Sequence, residues 1–299
     1  MLEQEWVAKG SNQSRSGLRS NLPQTVRAPI LNQPMDLING TRDDIYAFTH
    51  ALMYVRDFGL DPAPLPRRRP VVLAEAEAVL ARCLDEQDYD LCGEILLSWP
   101  LTGKSWSCAA AFAFRVLAHV EDRANFLPTA STRISEIQAL EGSERTRYLL
   151  ATAYHTAFVM GLVCAASLRK GSAPPATIST ANAKRGTTKQ VLQILDADGH
   201  CPHWRDEFRQ LADSEADALA GFLINIALGR RVVSRDFEGL RRILELAYDL
   251  TLANRPAASQ TAELLTPVAT YAEIAGDPQS RIGPAPSTRR LHHRYTVAA

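Results

Sequence analysis

Two histidines in this chain sit in company that could do proton chemistry. The first lies in DDIYAFTHALMYVRDFG, residues 43–59, where Asp43, Tyr46, His50, Tyr54 and Asp57 recur at helical spacing and share one face. The second lies in RYLLATAYHTAFVMGLVCAAS, where Tyr148, Thr152 and His155 share a side of an otherwise apolar segment. Between them in the chain, YDLCGEILLSW places Asp90 and Glu94 four residues apart on one helix face. An imidazole titrates near neutral pH, and a pair of carboxylates holds or deprotonates a cation, so this set suits acid–base work by His50, His155, Asp90 and Glu94. Tyr46, Tyr54, Arg42, Thr152 and Tyr148 are the expected substrate-binding groups. The bland reading is that each histidine is a core residue satisfied by a carbonyl and that Asp90 and Glu94 form a solvated acidic edge.

Each of these residues needs a helix to hold it. In the first segment Ile45, Phe48, Leu52 and Val55 form an apolar stripe opposite the polar one, so the helix has a core face and a wet face. Thr41 followed by Asp44 reads as a capping box, and Gly59 with Pro62, Pro64 and Pro66 ends the element. Further helices are expected over 71–84, 89–99, 105–121 and 144–168, with a shorter one before Gly142. More are expected over 187–197, 204–228, 237–253 and 258–275. No stretch alternates apolar and polar residues between hairpin turns, so the expectation is an all-α multi-helix domain of antiparallel pairs, as a bundle, a toroid-like ring or a short solenoid. Residues 1–35 read as a mobile N-terminal segment, 36–275 as the helical domain with a surface linker at 171–186, and 276–299 as a loose tail.

The chain has 299 residues with 33 basic and 33 acidic side chains. That balance argues against a protein built to grip nucleic acid, which needs a cationic surplus. Local basic clusters occur at Arg67–Arg69 and at Arg289, Arg290 and Arg294. RRVVSRDFEGLRR is the nearest approach to a DNA-reading helix. Five cysteines without a paired spacing suit a reducing cytoplasm. The longest apolar run, within 149–168, reads as a buried helix rather than a membrane span, because His155 and its threonines interrupt it. No P-loop, HExxH or GxSxG motif is present, and the His200, Cys201 and His203 cluster in GHCPHW reads as a capped turn rather than a zinc site. The expected enzyme therefore uses neither metal nor cofactor.

YAFTHALMYVRDFG together with YHTAFVMGLVCA resembles the signature pair of a little-characterised family of helical bacterial proteins, some of which accompany natural-product biosynthesis. Within that setting it is similar to the cyclases that close an aziridine in azinomycin- and ficellomycin-type pathways. The resemblance implies an internal pocket in which an amine displaces an anionic leaving group such as sulfate. A carboxylate, Asp90 or Glu94, would hold or deprotonate the ammonium, while His50, His155 or Arg42 would bind the leaving anion. It also implies a substrate carried on an acidic carrier protein, docked at Arg67–Arg69, and a small partner subunit. The rival expectation is a non-catalytic helical adaptor. The two differ in one geometric fact, whether His50 and His155 meet.

Overall fold

The computed structural model describes residues 29–60, 64–129, 131–180 and 186–275, with side chains described to residue 267. Every regular element among them is helical. In chain order they are α1 (Pro29–Asn32), α2 (Arg42–Val55), α3 (Arg69–Asp85), α4 (Tyr89–Leu96), α5 (Ser98–Thr102), α6 (Cys108–Ala124), α7 (Ile134–Ala139) and α8 (Gly142–Ser167). Then follow α9 (Thr187–Ala197), α10 (Trp204–Phe208), α11 (Asp213–Ala218), α12 (Ala220–Val233), α13 (Phe237–Asp249) and α14 (Pro256–Ala275). The all-α expectation holds.

Two short central helices organise the packing. All eight residues of α4 are buried, and α2, α3, α6 and α8 lean against it. In the second half α12 plays the same part for α9, α13 and α14. Helix α3 touches both hubs, so one continuous apolar core runs from Leu31 to Ala258. Trp99 and Trp204, both fully buried, anchor its two ends, Trp204 edge-on to Phe208 and Phe222. Burying side chains of this size supplies about 1.5–3 kcal/mol each, which is why α4 is stable at only eight residues.

Several boundaries differ from the sequence reading for identifiable reasons. The helical body begins before residue 36, because α1 already places Leu31 in the core with Met35 beside it. Residues 1–28 and 276–299, expected to be mobile, lie outside the described residues, as does part of the 171–186 linker. The expected 204–228 helix is three helices: Ala212 adopts an extended conformation and the Glu215 carboxylate accepts from its N–H, restarting the chain at α11. Pro100, expected to terminate a helix, instead sits in the first turn of α5, where its missing N–H is harmless. Helix α8 was expected to be buried; only one stripe of it is, and its opposite face is open.

The capping box at the start of α2 forms as expected, Thr41 and Asp44 each satisfying the other's backbone N–H. Its end is an unusual turn, with Asp57, Phe58 and Gly59 all at positive φ. Arg169, just past α8, donates to the Phe58 carbonyl at 2.8 Å. Its φ of 83° is what calls for glycine at Gly59, and the absence of a Cβ also lets the Arg169 guanidinium lie close over it. This contact straps the C-terminal ends of α2 and α8 together.

A carboxylate pair between two imidazoles

Helix α4 starts with Asp88, whose carboxylate accepts from the Leu91 N–H as an N-cap. One side of α4, Leu91, Cys92, Ile95 and Leu96, faces the core. The other side presents Asp90 and Glu94 to the crevice between α2 and α8. Gly93 lies between the two carboxylates, and a Cβ there would stand 2.8 Å from Val159 Cγ1. Glycine thus lets α8 approach closely enough for its polar side chains to reach Asp90.

The result is a four-residue centre with a shell of hydroxyls. His155 Nδ1 donates to Asp90 Oδ1 at 2.7 Å, and Thr156 Oγ1 donates to the same oxygen at 3.1 Å. The Tyr46 hydroxyl donates to Asp90 Oδ2. Glu94 accepts from the Thr49 hydroxyl on one oxygen and from His50 Nε2, at 3.3 Å, on the other. Arg42 donates to Asp88 from Nε at 2.6 Å, lies over the Tyr46 ring at 4.6 Å, and brings Nη2 to 3.7 Å from Asp90 Oδ2. Tyr54 stacks edge-on against His50, whose other edge meets Tyr46.

Electrostatics explain why so many donors converge. The Asp90 and Glu94 residues are 6% and 1% exposed, and an ionised carboxylate so deeply placed is costly unless each oxygen is hydrogen-bonded. Every carboxylate oxygen here has a donor. Burial and the bond to Asp90 push the Tyr46 phenol well above its ordinary range, so it stays protonated and keeps donating. The Asp88 hydrogen bond raises Arg42 further above its usual value, against a smaller opposing effect of burial. Because a carboxylate can only accept, Asp90 holds His155 in the tautomer with Nδ1 protonated, leaving Nε2 as the basic nitrogen.

The centre is a groove rather than an enclosed pocket. The His50 and His155 side chains are 40% and 43% exposed, while the acids form the floor. Two clefts lie elsewhere. One of about 360 Å³ is bordered by Glu77, Trp106, Cys108 and Arg255, and one of about 560 Å³ by Gln190, Arg231 and Arg242. Neither includes a residue of the groove. The expected internal pocket therefore takes a more open form.

The expected residues divide cleanly. His50, His155, Asp90, Glu94, Tyr46, Tyr54 and Arg42 come together. Tyr148 and Thr152 do not: the Tyr148 hydroxyl accepts from the Arg133 N–H and secures the start of α7 against α8, while the Thr152 hydroxyl donates to the Tyr148 carbonyl within α8 itself. Helix α4 is about 12 Å long and ends before α8 reaches them. Thr49 and Thr156 were missed. Their only sequence signal is a hydroxyl at a position the apolar stripe would otherwise fill. Asp43, expected near the N-terminal dipole, is exposed in the first turn of α2.

Other expected sites have structural partners. His200 Nε2 bonds the Asp85 carbonyl and His203 Nδ1 the Tyr89 hydroxyl, so the GHCPHW turn directs its two imidazoles to different neighbours. Arg230 is paired with Asp85 and Asp198, and Arg231 with Asp198 and Asp236, which occupies the basic face of the RRVVSRDFEGLRR segment. In the Arg67–Arg69 cluster, Arg67 forks onto Glu75 and bonds the Leu31 carbonyl, leaving Arg68 as the exposed member. The Arg289–Arg294 cluster lies outside the described residues.

The molecule is thus an all-α protein whose N-terminal half carries a groove floored by two acids and walled by two imidazoles. It belongs to the family described as Domain of unknown function (DUF6895), whose sequence profile matches residues 2–165. The matched segment ends within α8 and contains every residue of the groove. No curated protein and no solved structure matches the chain.

Proposed function

We propose that this protein is a metal-independent enzyme performing acid–base chemistry on a small amine, with intramolecular amine cyclisation as its reaction class. The observation that carries this reading is the placement of Asp90 and Glu94, nearly sealed from solvent, between two half-open imidazoles. Two buried carboxylates form the groove floor, with Arg42 shared between Asp88 and Asp90. A primary ammonium matches that floor. His155, oriented by Asp90, then takes the ammonium proton on Nε2. The freed nitrogen lone pair attacks the neighbouring carbon, the carbon–oxygen bond breaks, and the leaving oxyanion departs with its electron pair. Arg42 and the His50 imidazole at the rim offset that growing negative charge. Holding amine and electrophilic carbon in contact supplies much of the acceleration.

The two histidine-bearing segments resemble a helical family some of whose members accompany natural-product biosynthesis, and within that setting an aziridine-closing cyclase would expel sulfate as its leaving group; the unpaired cysteines suit a cytoplasmic setting. A substrate tethered to an acidic carrier protein would meet the exposed Arg68 near α3. The test is release of sulfate from a panel of vicinal amino sulfate esters, followed by ion chromatography. Release by the native chain should fall at least a hundredfold in Asp90→Asn and in His155→Ala, with helical circular dichroism unchanged. Equal release from native and variant chains, or variants that unfold, would remove the catalytic reading and favour the adaptor.

One observation favours a second reading. Ligand atoms of Asp90, Glu94 and His155 all lie within 4.8 Å of one another, a mixed oxygen and nitrogen set suited to a divalent cation. The metal would then take the place of the ammonium on the same floor. Elemental analysis of the purified chain separates the two: under one-tenth of an equivalent of transition metal is expected, and a stoichiometric ion lost in Glu94→Gln would replace the first reading with this one.

A further inference from the structure

The open face of α8 has a heptad seam. Arg147, Leu150, Tyr154, Ala157, Gly161, Cys164 and Leu168 recur at alternating steps of three and four, flanked by Ala151, Phe158 and Ala165. Leu150 is 62% exposed, Tyr154 and Phe158 each 63%, and Leu168 88%. By length and composition this helix is the only one among the described residues that could cross a membrane, yet its other stripe is packed on α4 and holds His155 and Thr156 against Asp90. A span would place that polar centre in lipid. The seam stays open among the described residues.

We infer that it pairs with the same face of a second copy, antiparallel, about a two-fold axis near Val159. The sequence is self-complementary in that register and in no simple parallel one. Leu150 meets Leu168 of the second copy, bulky Tyr154 meets small Cys164, and Ala157 meets Gly161, whose missing side chain faces open space in the single chain. A parallel pair would set Tyr154 against Tyr154 and Gly161 against Gly161. In the antiparallel pair large residues meet small ones and the helix dipoles oppose. The overlap, residues 150–168, is about 28 Å long. Since Tyr154 touches His155 edge-on, the second copy would lie along the α8 wall of the groove and narrow its opening.

Sedimentation of the full chain and a designed cross-link test this without reference to activity. The native chain should sediment as a dimer at micromolar concentration. Gly161→Glu, an exposed change, should sediment as a monomer with unaltered circular dichroism. Tyr154→Cys should give a covalent dimer through Cys164 under mild oxidation. The same substitution combined with Cys164→Ala should give none. A native monomer would overturn the inference, whether the face is covered within the chain or by phospholipid vesicles that sediment with it. A dimer unaffected by Gly161→Glu and not cross-linked by Tyr154→Cys would overturn it too.

Discussion

Asp90 depends on a phenol that cannot lose its proton at any ordinary pH. Tyr46→Phe removes the donor to Oδ2 and leaves a buried acceptor short of one bond, which costs about 1–2 kcal/mol. The folded Tyr46 pKa lies above the unfolded value, so its contribution to stability is complete below about pH 10 and is lost as pH rises beyond it. Denaturation curves of native and Tyr46→Phe chains should therefore converge above pH 10. Curves that stay equally far apart above pH 10 would show that the protonated phenol is not what stabilises the fold there. Most of this centre was legible as residue types: His50, Asp90, Glu94 and His155 stood out because titratable groups on otherwise apolar helices need partners. Thr49 and Thr156 did not, because a threonine in an apolar stripe resembles the β-branched residue it replaces.

At the scale of the element, the decisive contact is α4 against α8, and it depends on Gly93. Alanine is favoured over glycine inside a helix by about 1 kcal/mol, so propensity alone predicts that Gly93→Ala stabilises. Packing opposes this. A new Cβ 2.8 Å from Val159 Cγ1 forces α8 outward or Val159 off its rotamer, and overpacking typically costs 1–3 kcal/mol. The expected net effect is a loss of about 1 kcal/mol in chemical denaturation, with the His155 imidazole resonance shifted by its longer reach to Asp90. A stabilised variant with unchanged imidazole resonances would mean that the close approach is incidental. The sequence announced α2 through its cap and its terminal glycine. It could not announce the length mismatch between eight-residue α4 and twenty-six-residue α8, which leaves Tyr148 to bond the start of α7 and Thr152 to bond within α8.

In the whole molecule, composition foretold an all-α body, and hydropathy marked α8 as the most apolar helix. Neither distinguished a helix buried all round from one buried on a single stripe, because Leu150, Tyr154, Phe158 and Leu168 read as core by type alone. The second half, α9 to α14, contributes none of the groove residues, yet α3 packs on both hubs and joins it to the first. The groove itself is fastened twice: by the Asp90 hydrogen bonds midway along α2 and α8, and by Arg169 on the Phe58 carbonyl at their far ends. Walls held at two points act as a gauge of fixed span. If the proposed function holds, such a groove would select by girth, admitting slender unbranched amines and turning away bulkier ones, since neither helix has slack to swing aside for them.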